Sequence, residues 1–204
     1  MSDFTYESKA SGERRENYEW TRVWLDSARD EKTERVLYIG DSISAGILRI
    51  ATRLAEGRLL FDGVASSKAL DDPLLLDYAR LFAKEEGYRS YVIFNNGLHG
   101  WHLDDESEYP ALFETAVKRL LLDFPEAKLL IANTTSPENA ERAARVEKRN
   151  EAAQRIARQY SLPVIDLHRV SVENPSLLSG DGVHFTEEGY VALAQEILSV
   201  ISAI

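Results

Sequence analysis

Two short stretches of this chain carry residue types that could do nucleophilic chemistry together. One is Gly40-Asp41-Ser42, and the other is Ser179-Gly180-Asp181-Gly182-Val183-His184. A serine hydroxyl is a poor nucleophile at neutral pH and needs a base within hydrogen-bond reach. An imidazole suits that task, because its ordinary pKa of about 6.5 lies near neutrality. His184 is therefore the candidate base. Asp181, three residues earlier, can curl back to the ring nitrogen that faces away from Ser42 and hold the ring in the required tautomer. Each stretch alone has a plainer explanation: Asp and Ser are ordinary helix N-caps, and a His at a helix entry often makes a structural hydrogen bond. The pairing is what points to catalysis.

The elements that would position these residues can be read around them. Val36-Leu37-Tyr38-Ile39 is a short apolar run that reads as a buried strand, and Gly40 ends it. Ile43, Ile47, Leu48, Ala51 and Leu54 then recur at helical spacing. Ser42 thus sits where a strand turns into a helix. There its hydroxyl would be accessible at the carboxyl edge of a sheet, beside the free N–H groups of a helix N-terminus. Such donors are what a tetrahedral oxyanion needs.

The Gly40-Asp41-Ser42 block near the start and the Asp181-x-x-His184 block near the end resemble those of the SGNH/GDSL superfamily of serine esterases and acylhydrolases. The resemblance covers roughly residues 34 to 204. It implies a three-layer α/β/α sandwich of flavodoxin-like type, a Ser42-His184-Asp181 triad, an acyl-enzyme, and no cofactor or metal. In that family the first oxyanion donor is the backbone N–H of the nucleophile, here Ser42. A second comes from a Gly in the loop after the second strand. The corresponding stretch reads Asp62-Gly63-Val64-Ala65-Ser66-Ser67, so Gly63 or Ser66 stands in that place. The third is an Asn side chain in a Gly-x-Asn-Asp block. Here the loop reads Asn95-Asn96-Gly97-Leu98-His99-Gly100-Trp101-His102, similar to a subset with an Asn-x-Gly-Leu-His motif. Laid on Gly97, the block puts His99 where Asn is expected, with Asn95 and Asn96 just upstream. Either His99 donates to the oxyanion, or an Asn does and His99 contacts substrate. Trp101 and His102 are candidates to line the pocket.

The rest of the chain supplies the sheet. Leu59-Leu60-Phe61, Tyr91-Val92-Ile93-Phe94, Leu129-Leu130-Ile131-Ala132 and Pro163-Val164-Ile165 read as further strands, each alternating with a helical pattern. Five short apolar strands with helices between them predict an α/β fold with a parallel sheet covered on both faces. In such a sheet ligands bind beyond the carboxyl ends of the strands. Ser42, the loops after Phe61 and Phe94, Thr134-Thr135 and the Asp181/His184 loop all fall at that edge. Residues 1–33 read as a polar tail followed by an extension helix over Glu13–Glu31, and residues 34–204 as the catalytic domain. The alternating Glu and Arg of the helix over Glu138–Tyr160 read as a solvated face.

Composition narrows the partners. The 204 residues suffice for one domain with a substantial core. A net charge of −10 argues against a nucleic-acid partner, which needs clustered Lys and Arg. The absence of Cys removes thiol catalysis and thiolate metal sites, and four His without tight spacing do not make a zinc site. A polar N-terminus without an apolar segment sets the expectation of a cytoplasmic protein, unless a leader has been removed. No run is long enough to span a membrane. The expected substrate is a small-molecule or carbohydrate ester, with a short acyl group on a polar alcohol. The alternatives are an O-acyltransferase, in which another alcohol replaces water, and a ligand-binding protein on the same fold. The oligomeric state is not encoded in any of these features.

Overall fold

A computed structural model of the chain describes residues 16, 18–86, 89–103 and 108–204. The strand β2 (Glu34–Gly40) leads into helix α1 (Ser42–Leu54), and β3 (Leu59–Ser66) into α2 (Leu74–Glu86). Then follow β4 (Tyr91–Phe94), α3 (Glu108–Asp123), β5 (Lys128–Ala132), α4 (Ala140–Gln159), β6 (Val164–Ile165), α5 (Leu167–Glu173) and α6 (Glu187–Ser202). The strand β1 (Thr21–Trp24) precedes them all.

The sheet has six strands in the order β1-β3-β2-β4-β5-β6. Five of them are parallel, as the alternation predicts. The sixth, β1, pairs antiparallel with the outer edge of β3, Thr21 opposite Ser66 and Trp24 opposite Gly63. This corrects two expectations. The described part of the region read as an extension helix contains a strand instead; residues 1–15 and 17 lie outside the described residues. And β3 does not stop at Phe61 but runs to Ser66, because β2 and β1 hydrogen-bond it on both sides. All four β1 residues are exposed. Backbone pairing holds this strand, not an apolar face, so no period-2 signal marks it.

The core lies on both faces of the sheet. On one, Ile43, Ile47 and Ala51 of α1 and Leu193, Ala194 and Ile197 of α6 pack on Val36, Tyr38 and Ile93. On the other, α2, α3 and α4 bring Ala79, Phe113, Val117, Ala153 and Ile156 onto Leu37, Ile39 and Phe94. Adjacent strand residues alternate between these faces. Asp62, fully buried within β3, is held by the Arg35 guanidinium through both carboxylate oxygens, by Arg89 Nε at 2.9 Å and by the Asp26 N–H. It is therefore a paired core charge and not the start of a loop. Among the described residues no helix is long and apolar enough to cross a membrane.

Candidate active site

Helix α1 starts directly at the end of β2. Asp41 caps it, accepting from the Ile43 N–H at 2.9 Å, and Ser42 is its first residue. At the other end of the chain, Asp181 folds the segment that carries His184. Its Oδ1 accepts from the backbone N–H of Val183 and of His184 and from the Ser179 hydroxyl. Gly182 takes a positive φ of 71° to make this turn. The turn is closed by Ser179 N–H to His184 O and by Gly182 N–H to Ser179 O. The Glu138 N–H, from the loop after β5, donates to Gly182 O at 2.7 Å and ties the turn to the sheet edge. Thr186 then caps α6.

One close approach brings these two ends together. The Tyr190 ring of α6 lies against Gly46 of α1, so near that a Cβ on Gly46 would stand 2.3 Å from the ring. With α6 seated there, His184 Nε2 lies 2.8 Å from Ser42 Oγ. His184 Nδ1 lies 2.7 Å from Asp181 Oδ2. Burial pushes the Asp181 carboxyl up, but the N–H groups of His184 and Val183, the His184 ring and the Ser179 hydroxyl outweigh it and hold the group well below the usual carboxylate range. An ionised carboxylate only accepts, so Nδ1 carries the ring proton and Nε2 is left to accept from the Ser42 hydroxyl. This arrangement can deprotonate Ser42 as it attacks and return the proton to a leaving group.

The structure sorts the other candidates. Asn95 follows β4 and extends its ladder, donating N–H to Ile39 O at 3.0 Å. Ile93 packs in the α1/α6 core, so Asn95, two residues on, lies on the same side of the sheet as Ser42. Its amide donates to Ala132 O and to Thr134 Oγ1. Asn96 falls on the opposite side, donating to Lys68 O, while its carbonyl accepts from the Tyr109 hydroxyl. Gly63 lies inside β3, between Tyr38 and Trp24, and not in a loop. The Ser66 hydroxyl donates to Trp20 O, accepts from Lys68 N–H and lies 3.0 Å from Thr21 Oγ1.

His99, Trp101 and His102 are directed to other partners. His99 Nδ1 lies 2.6 Å from Glu16 Oε1, and its ring meets Trp20 edge-on. His102 Nε2 lies 2.9 Å from Asp71 Oδ2. Trp101 is stacked under Arg145, whose guanidinium carbon is 3.6 Å from the ring centroid. Arg145 and Arg149 of α4, which hold this loop, and Asn150, which holds Thr134 in the loop after β5, are all buried. They were hidden in what reads as a solvated face; the one available signal is that they share a face of α4 with Val146, Ala153 and Ile156.

Among the described residues no group of three or more His, Asp or Glu is placed to hold a metal ion.

Residues 104–197 match the model of the GDSL-like lipase/acylhydrolase family. The matched span takes in Asp181 and His184 and begins after Ser42. No curated protein shows significant similarity to the chain. Solved structures of the same fold include a lipase/acylhydrolase from Enterococcus faecalis, 19% identical over 84% of this chain and 96% of that one, with a TM-score of 0.65. An acetyl xylan esterase, AlAXEase, is 16% identical over 82% of this chain and 99% of its own, with a TM-score of 0.64. The C-terminal catalytic domain of Streptococcus pneumoniae peptidoglycan O-acetyltransferase A, carrying a methylsulfonyl adduct, is 18% identical over 84% and 94%, with a TM-score of 0.64. At these identities the likeness is one of fold.

Proposed function

We propose that this chain is a serine esterase of the GDSL-like lipase/acylhydrolase type that cleaves a short acyl group from a polar alcohol through Ser42, His184 and Asp181. The observation that carries the reading is the unbroken hydrogen-bond chain from Ser42 Oγ through both His184 nitrogens to Asp181. Ser42 Oγ attacks the ester carbonyl while His184 Nε2 takes its proton. The imidazolium then protonates the alkoxide as the C–O bond breaks, leaving the acyl group on Ser42. Water, deprotonated by His184, attacks the acyl-enzyme, and the acid departs as Ser42 recovers its proton. Asp181 keeps its charge throughout and stabilises the imidazolium.

The tetrahedral oxyanion forms at the N-terminus of α1, where first-turn N–H groups lack intrahelical acceptors. The Ser42 N–H is one donor. The Asn95 side chain, on the Ser42 side of the sheet, is the second, in preference to His99; both of its amide hydrogens are held in this structure, by Ala132 O and Thr134 Oγ1, so one of these bonds is exchanged for the oxyanion. An O-acetylated carbohydrate is the substrate class we favour. The polar residues around the sheet edge support it, as do the acetyl xylan esterase and the peptidoglycan O-acetyltransferase among the proteins of like fold. The same acyl-enzyme would serve transfer to a second alcohol.

The test is hydrolysis of a chromogenic acetate ester by wild type and Ser42→Ala, with mass-spectrometric mapping of the adduct formed by a fluorophosphonate. Turnover that vanishes in Ser42→Ala, with the adduct on Ser42 alone, is the expected result. Unchanged turnover in the variant, or an adduct elsewhere, refutes the assignment.

A further inference from the structure

Four consecutive backbone carbonyls in the loop after β4 turn toward the same helix. Arg149 donates through Nη1 to Gly97 O at 3.1 Å and to His99 O at 2.7 Å, and through Nη2 to Gly100 O at 2.8 Å. Arg145, one helical turn earlier, donates through Nη2 to Leu98 O at 2.9 Å. Both side chains are buried, and each guanidinium lies over an aromatic ring, Arg145 over Trp101 and Arg149 over Tyr109. Carbonyls that leave a β-ladder and stay buried must find donors elsewhere. A rigid fork of N–H groups can serve several acceptors at once, where a Lys ammonium acts as a single point charge.

The next residue of α4 reaches the neighbouring loop. Asn150 accepts from Thr134 N–H and donates to Thr134 O. Thr134 Oγ1 in turn accepts from the Asn95 amide. A single helix segment, Arg145–Asn150, therefore fixes Asn95 from both sides: through the backbone that follows it and through the hydroxyl its amide meets. This segment is separate from the elements that carry the triad, which come from α1 and from the turn before α6.

From this arrangement we infer that Arg145 and Arg149 are positioning residues for the reaction: they hold the 97–100 backbone so that the Asn95 side chain keeps its place on the Ser42 side of the sheet, at Ala132 O and Thr134 Oγ1. The inference rests on the esterase reading. It sets Arg149 apart from a merely structural arginine, because its loss should act on the oxyanion and leave the Ser42–His184 pair in place.

The experiment uses Arg149→Lys and Arg149→Ala in the full chain, with folding checked by circular dichroism and thermal unfolding. Steady-state kinetics on the chromogenic ester, with and without added guanidinium, give the main readout. A misplacement of about 1 Å at a reacting centre can cost up to about 10²-fold. We expect kcat to fall at least about tenfold in both variants with KM within a few-fold, since an oxyanion contact acts mainly in the transition state. Guanidinium should restore part of kcat in Arg149→Ala and none in Arg149→Lys, where the ammonium blocks the vacated space. The acid limb of the pH profile should not move, because His184 and Asp181 are untouched. A folded Arg149→Lys with wild-type kcat overturns the proposal. So does a failure of both variants to fold, which would make Arg149 a residue of the fold. If wild type itself neither turns over ester nor reacts with fluorophosphonate at Ser42, the esterase reading fails and this one with it. If wild type does both and the Arg149 variants match it, only this one fails.

Discussion

The hydroxyl oxygen of Thr134 stands 2.0 Å from the point that a Cβ on Gly97 would occupy. The loop after β4 and the loop after β5 are thus in contact at a place where no side chain fits between them. The same hydroxyl accepts from the Asn95 amide at 2.9 Å. Space at position 97 and the orientation of Asn95 are therefore one structural problem.

Gly97→Ala should force Thr134 aside and break that hydrogen bond. Overpacking of a buried contact typically costs about 1–3 kcal/mol. We expect a lower Tm and, because Asn95 loses its acceptor, a fall in kcat larger than the change in KM. Pairing Gly97→Ala with Thr134→Ala removes the closest contact and leaves the Thr134 Cβ at 2.8 Å, so it should recover part of Tm without recovering kcat. Recovery of both would show that the hydroxyl does nothing for Asn95.

Gly46→Ala offers a second test of close approach, at the contact that seats α6 on α1. Replacing a mid-helix Gly by Ala gains about 1 kcal/mol of helix propensity. Here the new methyl would meet the Tyr190 ring at 2.3 Å, well inside van der Waals contact, and displacing a packed ring costs more than that gain. Because α6 follows His184 directly, its shift should separate His184 from Ser42. Esterase turnover should drop several-fold with the secondary structure retained, and Gly46→Ala combined with Tyr190→Ala should recover part of it. A Gly46→Ala protein with raised Tm and full turnover would show that the ring moves freely.

What the sequence could reveal follows from how local each signal is. The strand before Gly40, the helix after Ser42 and the three-residue step from Asp181 to His184 are all short-range patterns. Their meeting across 142 residues follows from putting them at one edge of a parallel sheet. The fold could be read in the same way, strand by strand. Strand β1 could not, because its four residues are exposed and nothing alternates. Asp62-Gly63 reads as the start of a loop, yet it is mid-strand, since Arg35 and Arg89 neutralise the buried carboxylate. Arg145 and Arg149 read as solvated because periodicity carries no information about backbone carbonyls arriving from a loop some fifty residues away. Which residue of the Asn95–His102 loop falls on the α1 side of the sheet is decided by where the β4 ladder ends, and motif alignment on Gly97 does not contain that.

The pH dependence of turnover should report a single proton on its acid side. The Asp181 carboxyl is held well below the usual range, despite the upward push of burial, by the N–H groups and hydroxyl gathered on it. A carboxyl depressed in the folded state stabilises the fold fully above its unfolded value of about 3.9, and that contribution is lost only as pH falls below it. Through roughly pH 5 to 8 Asp181 therefore stays ionised. The logarithm of kcat/KM should fall on the acid side with a slope of no more than one, because Asp181 takes up no proton there. A slope of two in that range would mean that Asp181 takes up a proton there and is not held low.

The choice between Asn95 and His99 can be made by asking what each loses on truncation. Asn95 lies on the Ser42 side of the sheet, and removing one oxyanion donor typically lowers kcat by about 10² to 10³. Asn95→Ala should show that loss with KM little changed, and Asn95→Asp should not rescue it, because a carboxylate has no N–H to give. The His99 ring instead faces Glu16, with side-chain exposures of 13% and 8%. His99→Ala leaves that carboxylate nearly buried without its ring partner, a situation that costs about 1–3 kcal/mol. Its effect should appear in thermal unfolding, with kcat within a few-fold of wild type. Glu16→Gln should weaken the same contact, so that the double variant Glu16→Gln/His99→Ala is destabilised by less than the sum of the two single changes. A kcat loss in His99→Ala that exceeds the loss in Asn95→Ala, with Tm unchanged, would put His99 in the oxyanion hole and Asn95 out of it.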